Sequence, residues 1–361
     1  MDFDTLTAEA VVLLQRLIAT PRTSRNETAA ADIFAHFIED FGLPFHRHGN
    51  NIWVVGADFD ASRPTLLLNA HIDTVRPVAA WTRDPHTPVI DGDRLYGLGA
   101  NDDGASLVSL LQAFRVLSRR RQPYNLVFLA SAEEEVSGRD GIESVIPLLP
   151  HIDVALVGEP TGMQPAIAEK GLMVLDCTAY GRAGHAARDE GDNAIYRALP
   201  DIEWLRTYRF PQVSPLLGPV KMSVTVVQAG TQHNVVPDRC TFTVDVRTNE
   251  CYTNEEVFEQ VRRALSSDVV ARSFRLGSSA IDAAHPLVRR ALDLGPTPDG
   301  RPRAVFGSPT LSDQALMPWP SMKMGPGDSA RSHTADEYIL LSEIRGAIDD
   351  YVTMLDGLEL A

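Results

Sequence analysis

Three apolar segments of the sequence end in side chains that commonly bind metal ions or transfer protons. Residues 65–70 are followed by His71 and Asp73, residues 126–132 by a run of three glutamates, and residues 154–158 by Glu159. Open α/β sheets place their functional side chains at the carboxyl ends of buried strands. We therefore expect the three segments to be strands whose ends contribute to one site.

A wider set of side chains has the composition of a metal centre. The candidates are nitrogen and oxygen ligands spread along the chain: His71, Asp102, Glu134, Glu159 and His333. Such a set without thiolates suits zinc, or less tightly cobalt or manganese. Three carboxylates and two neutral imidazoles would leave two divalent cations with a charge of about +1, which a bridging hydroxide removes. This balance predicts a dinuclear site in which one carboxylate is shared.

Two more acidic residues have positions that suit supporting roles. Asp73 lies two residues after His71 and is expected to orient the imidazole ring. Glu133 adjoins a predicted ligand and could accept a proton from water and pass it to a leaving amine. Taken singly, each of these carboxylates is more typical of a solvated surface charge, so the metal hypothesis depends on the whole set.

The composition limits the alternatives. The chain has 361 residues, of which 44% are apolar and 22% charged, and a net charge of -15. This length favours two domains, and the acidic charge argues against nucleic acid or an anionic membrane as a partner. Cys177, Cys240 and Cys251 form no C-x-x-C pair and indicate free thiols in a reducing compartment. Since the amino-terminal residues are acidic and have no hydrophobic signal core, we expect a cytoplasmic protein.

Hydrophobic periodicity predicts the elements that position these residues: helices at 7–20 and 105–117, and strands at 52–56 and 65–70. Residues 24–27 have the spacing of a capping box ahead of a second helix. The loop at 97–104 contains three glycines, but their spacing is neither a Walker loop nor a dinucleotide fingerprint. The two aspartates of this loop suit a cation better than a phosphate.

From residue 172 the pattern changes to the order β-α-β-β-α-β. The predicted elements are strands at 172–180, 221–228, 239–247 and 271–276, and helices at 193–206 and 254–265. This is the order of a ferredoxin-like sandwich. Short strands at 303–306 and 321–324 and a helix at 342–357 follow. We therefore expect an α/β catalytic domain of residues 1–171 and 283–361, interrupted by an inserted domain of residues 172–282.

Six motifs, in chain order, resemble those of one family. They are His71-Ile72-Asp73-Thr74-Val75, Gly97-x-Gly99-Ala100-x-Asp102, Glu133-Glu134, Gly158-Glu159-Pro160-Thr161, Gly184-His185-Ala186 and Ser332-His333-Thr334. The chain is similar over nearly its whole length to the dinuclear zinc deacylases and carboxypeptidases, which include acetylornithine deacetylases, succinyl-diaminopimelate desuccinylases, aminoacylases and glutamate carboxypeptidases. The resemblance implies a zinc-peptidase-like catalytic domain, with a mixed central sheet flanked by helices, and a ferredoxin-like lid through which two copies form a homodimer.

The resemblance also implies a role for each predicted site residue. The implied ligands are His71 and Glu159 for one zinc ion, Glu134 and His333 for the other, and Asp102 as the bridge between them. Cobalt could replace zinc. Glu133 would then be the general base. Because three glutamates follow one another, an alternative remains open in which Glu134 is the base and Glu135 the ligand.

Residues of the lid and of the late segment resemble substrate contacts. His185 is similar to a lid histidine that, in dimeric members, reaches the neighbouring subunit's site, where it would donate to the oxyanion of the tetrahedral intermediate. Arg247 stands at a strand end, and its planar fork could pair a substrate carboxylate. The other implied substrate contacts are Asn234, Ser308, Thr310 and Gly325.

The loop at 97–104 departs from the family's usual pattern, which has Arg after the first Gly and Met-Lys-Gly after the Asp; Leu98 and Asp103-Gly104-Ala105 stand in those places. This variant looks most like a divergent acetylornithine-deacetylase group of arginine biosynthesis. We therefore expect the zinc-dependent hydrolysis of N-acetylornithine to ornithine and acetate. N-succinylornithine, an N-acylcitrulline and N-succinyl-diaminopimelate are alternative substrates. Two further hypotheses are an inactive metal-binding assembly protein and a single-metal peptidase.

Overall fold

The protein is described by a computed structural model that covers residues 2–297 and 300–360. The chain separates into two compact units. Unit 1 consists of Met1–Ile167, Ala280–Phe306 and Ser312–Ala361, and unit 2 of Ala168–Ser279 and Gly307–Leu311. The segment Gly307–Leu311 therefore groups with unit 2, whereas the predicted boundaries left it in the catalytic domain. None of the helices within the covered residues is long and apolar enough to cross a bilayer.

The helices follow the apolar stripes of the sequence. They are α1 (Phe3–Ile18), α2 (Thr28–Glu39), α3 (Ala105–Leu117), α4 (Ile142–Val145), α5 (Ala194–Thr207), α6 (Asn254–Ala264), α7 (Pro286–Leu292) and α8 (Leu341–Leu355). In unit 1, α1, α3 and α8 bury their apolar faces against one side of the main sheet and form the largest hydrophobic core. α3 is buried along almost its whole length, and it begins directly after the loop that carries Asp102.

The strands are mostly short. They are β1 (Phe45–His48), β2 (Asn51–Val55), β3 (Thr65–His71), β4 (Val89–Asp91), β5 (Arg94–Tyr96), β6 (Asn125–Ser131), β7 (Val154–Val157), β8 (Ala166–Glu169), β9 (Gly171–Tyr180), β10 (Gly184–His185), β11 (Lys221–Ala229), β12 (Val235–Val236), β13 (Arg239–Thr248), β14 (Asp268–Ala271), β15 (Ser279–Ala280), β16 (Phe306–Ser308), β17 (Ser321–Lys323) and β18 (Tyr338–Leu340).

The main sheet has the strand order β1-β2-β6-β3-β7-β17-β8-β15, with β16 beside β8. β3 lies between β6 and β7 and runs parallel to both, whereas β1 and β2 pair antiparallel. The sheet is therefore mixed. β3 and β6 are buried along their full length, which explains their nearly continuous apolar sequences. Because parallel neighbours end at the same edge, the expectation that their carboxyl ends meet is confirmed.

Unit 2 has its own sheet and its own core. The sheet order β11-β13-β9-β14 is antiparallel throughout. Alternate residues of β9 and β13 point into a core closed by α5 and α6, so one face of the sheet is covered by helices. The order of elements, apart from the added two-residue pair of β10 and β12, is the predicted ferredoxin-like one.

Two local predictions were wrong. Glu27 precedes α2 without forming a capping box, because its buried carboxylate accepts hydrogen bonds from the backbone N–H groups of Arg25 and Glu133. The last strand of unit 2 is Asp268–Ala271 and not 271–276, because Val269 packs into the core there. The other predicted elements agree with the structure within a few residues.

Candidate metal centre

Three neighbouring strands present the polar side chains of the site. β3 ends at His71, which lies opposite Ser131 at the end of β6. The glutamates at 133–135 come directly after β6, and Glu159 follows β7 on the other side of β3. The apolar residues of these strands are held by the core, so the polar side chains at their ends have a rigid support.

Asp102 lies between the two predicted histidine ligands. Its Oδ1 is 3.1 Å from Nε2 of His71, and its Oδ2 is 3.6 Å from Nε2 of His333. The two histidines are separated by more than 250 positions in the sequence, yet both rings contact the same carboxylate. A carboxylate with one oxygen toward each ring has the arrangement required of a ligand that bridges two cations.

The loop of Asp102 is fixed by a buried acid that the sequence analysis did not assign. Glu337 accepts hydrogen bonds from the backbone N–H groups of Gly99, Asn101 and Asp102, at 3.1, 2.8 and 2.9 Å. Gly99 has φ 73°, a conformation that glycine adopts without strain. Burial raises the pKa of Glu337 to about 7 in spite of these donors. Glu337 follows His333 by four residues, so it connects the segment of His333 to the loop of Asp102.

His333 contacts Glu135 and not Glu134. Its Nε2 lies 3.0 Å from Oε2 of Glu135. The hydrogen bond that His333 donates to Glu135 is the main cause that raises the pKa of His333 to about 9, and partial burial opposes this rise. The ring is half exposed, so the site is open to solvent on this side of unit 1.

The three consecutive glutamates point in different directions. Glu133 has φ 55° and lies outside the cluster of predicted ligands; its carboxylate is 3.8 Å from Nε of Arg25. Glu134 lies 3.8 Å from Nε2 of His71. The geometry therefore favours the alternative assignment that the sequence left open, in which Glu134 is the base and Glu135 the ligand. The first assignment, with Glu133 as the base, would give that role to a carboxylate that points toward Arg25 and away from the predicted ligands.

Glu134 has the electrostatic environment of a group that can hold a proton. Burial raises its pKa well above the usual value; the charge of His71 opposes this, and the carboxylates of Glu159, Asp313 and Glu135 add to it. A raised carboxyl pKa is the property that general acid–base catalysis near neutral pH requires.

Asp73 connects His71 to the glutamate turn. Its backbone oxygen is 3.0 Å from Nδ1 of His71, and its Oδ1 is 3.5 Å from the same nitrogen. The carboxylate also accepts hydrogen bonds from the backbone N–H groups of Glu134 and Glu135, at 3.0 and 3.2 Å, and from the hydroxyl of Ser24. Burial by itself would lower the pKa of His71. The hydrogen bonds to Asp102 and Asp73 outweigh this effect, so the pKa of His71 is raised well above its usual value.

Glu159 is held close to the site by a glycine. A Cβ at Gly325 would lie 2.5 Å from the backbone oxygen of Glu159, so no larger residue fits there without displacing this ligand candidate. Burial raises the pKa of Glu159 well above its usual value; the nearby charge of Lys323 opposes this, and Asp102 and Asp103 add to it.

The donor set fits divalent cations. Ligand atoms of His71, Glu134 and Glu159 lie within 4.8 Å of one another, and so do those of His71, Asp102 and Glu135. Oxygen and imidazole donors without sulfur suit zinc, cobalt or manganese. So many adjacent buried carboxylates would repel one another without cations between them. The residues present therefore fit a two-cation centre.

The predicted substrate contacts in unit 2 form hydrogen bonds or ion pairs with other residues of the same unit. His185 is exposed, and its Nδ1 accepts a hydrogen bond from the backbone of Ala187. Asn234 is also exposed, and its backbone oxygen accepts the N–H of Ala186. Arg247 forms a two-point ion pair with Asp245, at 2.9 and 3.2 Å.

Ser308 and Thr310 lie in the short second stretch of unit 2. Their hydroxyl oxygens are 3.0 Å apart, and the backbone oxygen of Ser308 accepts the N–H of Lys170. Their roles as substrate contacts stay predictions.

Four buried polar residues beside the centre were missed: Arg22, Asp313, Lys323 and Glu337. Glu337 lies four residues after His333, and an acidic residue so close to a predicted ligand is a signal by which it could have been identified. Asp313 pairs with Ser131 at the end of β6. Arg22 and Lys323 gave no sequence signal, since Arg22 follows a helix-ending proline and Lys323 stands in a short apolar strand.

Comparisons with known proteins extend these observations. A profile of peptidase family M20/M25/M40 matches residues 67–356. The succinyl-diaminopimelate desuccinylase of Corynebacterium glutamicum is 28% identical over 353 residues, covering 94% of both chains. That of Halorhodospira halophila is 25% identical, covering 96% of both.

Solved structures show the same fold. The aminopeptidase PepT from Bacillus cereus superimposes with a TM-score of 0.76 at 17% identity, over 97% of this chain and 98% of that one. The Bacillus subtilis YXEP protein, described as a dinuclear metal-binding peptidase, gives 0.72 at 18% identity over 98% of each chain. With the profile spanning most of the sequence, this chain belongs to peptidase family M20/M25/M40.

Proposed function

We propose that this protein is a two-cation amidohydrolase that removes a small acyl group from the nitrogen of an amino acid, and that the acyl group is succinyl. The position of Asp102 carries the two-cation part of the proposal, because its two carboxylate oxygens face His71 and His333. The names of the curated relatives support the succinyl group over the acetyl group that the sequence motifs favoured.

The proposed ligand sets follow the observed distances. His71 and Glu159 would hold one cation, Glu135 and His333 would hold the other, and Asp102 would be the ligand common to both. When bound, two divalent cations polarise a scissile carbonyl and lower the pKa of water. Zinc is the proposed metal, with cobalt as a working substitute.

The chain's own residues then supply orientation and proton transfer. Glu134 takes a proton from the attacking water and gives it to the leaving amine, a task that suits a carboxyl group with a raised pKa. Asp73 fixes the ring of His71. His185 donates a hydrogen bond to the oxyanion, and Arg247 exchanges its pairing with Asp245 for a substrate carboxylate.

A substrate panel tests the proposal. N-acetyl and N-succinyl derivatives of ornithine, citrulline and diaminopimelate would be assayed with zinc-loaded protein, with Glu134→Gln as the inactive control. We expect the highest kcat/KM for N-succinyl-diaminopimelate. A higher value for N-acetylornithine would overturn the succinyl assignment and restore the motif-based one. Two bound cations without hydrolysis of any member would support an inactive binding protein.

We also propose that two copies associate through unit 2. β11 is an edge strand of nine residues, and among the described residues its only strand partner is β13. Val226 and Val227 in this strand are 46% and 54% exposed, and Tyr196 and Leu199 of α5 are exposed as well. A long apolar edge of this kind favours pairing with another strand. A second copy of this chain is the proposed partner.

A further inference from the structure

A fully buried arginine lies beneath the candidate metal centre. Arg22 is 2% exposed. Its guanidinium donates to the backbone oxygen of Ile72 and, at 2.8 Å, to that of Gly99. Ile72 lies between His71 and Asp73, and Gly99 begins the turn that carries Asp102. One side chain therefore bonds both to the segment that carries His71 and to the segment that carries Asp102.

The backbone around Arg22 holds it in this position. Its own oxygen accepts the N–H of Thr74 at 3.0 Å, and Ser24 donates its N–H to the oxygen of Thr74. Residues 22–24 therefore run beside residues 72–74 like an added strand. The glycines of the loop leave the space that the guanidinium occupies, because a Cβ at Gly99 would lie 2.4 Å from its Nη2.

The loop to which Arg22 bonds contains buried acidic residues. The loop at 97–104 contains Asp102 and Asp103 and no basic residue. Asp103 is completely buried; its Oδ2 accepts the N–H of His71, and its Oδ1 has no hydrogen-bond partner among the described residues. The carboxylates whose charges act on Arg22 are Glu337, Asp73, Asp103 and Asp102. An uncompensated buried charge is strongly destabilising.

We propose that Arg22 is a positioning residue of the metal centre: its guanidinium joins the segment of His71 to the segment of Asp102 through two backbone oxygens. The inference rests on the two-cation centre proposed above. It adds a requirement that lies outside every ligand motif, since Arg22 precedes His71 by roughly 50 positions in the sequence.

The structural part is tested by thermal unfolding of metal-free Arg22→Met. Loss of the bonds to the backbone oxygens of Ile72 and Gly99, with the neighbouring carboxylates left buried, should lower the Tm by about 6–10 °C. Arg16→Met, which changes an exposed arginine of α1, is the control and should leave the Tm unchanged. An unchanged Tm in Arg22→Met would show that these bonds do not hold the two segments together.

The positioning part is tested with Arg22→Lys and cobalt(II). Lysine keeps the charge but, as a point donor, cannot bond both carbonyl groups in the same way. Titration of metal-free Arg22→Lys with cobalt(II) should show binding about 10-fold weaker for at least one ion, together with a visible absorption spectrum that differs from the wild type. Unchanged affinity and spectrum would overturn the positioning role.

Both measurements are independent of turnover. If the panel of acyl amino acids fails while cobalt binding responds to Arg22, the substrate proposal is wrong and the positioning role stands. If hydrolysis proceeds normally in Arg22→Lys and Arg22→Met, with wild-type cobalt binding, the positioning role is wrong and the proposed function stands.

Discussion

Oε2 of Glu135 lies 3.0 Å from Nε2 of His333, and this contact supports one assignment of the three consecutive glutamates over the other. If the third glutamate faces the late histidine, the second is left beside His71. The first then points toward Arg25, away from the centre. A shift of one residue in this assignment exchanges the proposed base and the proposed ligand.

Substitution of each glutamate by glutamine should therefore give three different results. Glu134→Gln should keep both cations and lower kcat by about 10²–10⁴-fold, because only the proton carrier is lost. Glu135→Gln should lose one of the two cations. Glu133→Gln should keep both cations and most of its turnover. Zinc content by elemental analysis and kcat for the best substrate of the panel check these expectations; a large loss of kcat in Glu133→Gln with both cations kept would restore the first assignment.

The stability of metal-free protein should fall as the pH rises from 6.5 to 9. The pKa of His333 is raised to about 9 by its bond to Glu135, against about 6.5 in an unfolded chain. The folded state thus binds this proton more tightly, so the stabilisation is complete below pH 6.5 and is lost as the pH rises through about 9. Thermal unfolding across this range measures the effect.

In the variant His333→Gln the same pH profile should be flatter. The proton on His333 also competes with the cation, so the apparent affinity for zinc should rise over the same pH interval. An equal slope in the wild type and the variant would exclude His333 as the source.

Glu337→Gln should destabilise the loop of Asp102. The amide can no longer accept all three backbone N–H groups that the carboxylate accepts, and its own NH₂ adds donors where only acceptors fit. We expect a loss of about 2–3 kcal/mol in the free energy of unfolding by urea and weaker zinc binding. Glu359→Gln, at an exposed position of α8's carboxyl-terminal extension, is the control. Equal stability of the two variants would contradict the bracing role of Glu337.

Gly325→Ala should displace Glu159. The new Cβ would meet the backbone oxygen of Glu159 and the hydroxyl of Ser106, both at 2.5 Å. We expect reduced zinc occupancy measured by equilibrium dialysis. Gly295→Ala is the matched control, because a Cβ at Gly295 has open space around it; it should bind zinc as the wild type does. Wild-type occupancy in Gly325→Ala would show that the neighbouring backbone yields without moving Glu159.

The proposed dimer should dissociate when charge is placed on the edge of β11. The variant Val226→Lys/Val227→Lys would put two cations on an unpaired strand edge, which opposes strand pairing. Light scattering after size-exclusion chromatography should give a dimer for the wild type and a monomer for this variant. Val270→Lys on β14, at the other edge of the same sheet, is the control and should stay dimeric. A monomeric wild type would refute the dimer.

Much of the framework could be predicted from the sequence for a simple reason. The three strands that lead to the site, β3, β6 and β7, are nearly continuous apolar runs. The change to His, Asp or Glu marks the point where each of them leaves the core. His71 and Glu159 were identified in this way, and β3 and β7 lie side by side. The alternation of β9 and the amphipathic α6 likewise fixed the order of the inserted unit.

The failures have physical causes as well. A run of identical glutamates contains no information about backbone direction, and Glu133 adopts a left-handed conformation that turns it away. Glu27 had the spacing of a capping residue, but burial made it an acceptor for a distant loop. Arg22 and Lys323 are cations inside the protein, and only the carboxylates packed around them explain their presence.

The division of unit 2 into two stretches of chain limits how such an enzyme could be shortened. Joining residue 167 to residue 280 would excise α5, α6 and their sheet in one cut, but would leave the pentapeptide 307–311 behind. Gly307 packs on Leu216, and Ser308 accepts from Lys170, so the remnant would lose its neighbours and expose unpaired backbone. Removal of unit 2 would thus require two separate deletions, one of residues 168–279 and one of residues 307–311.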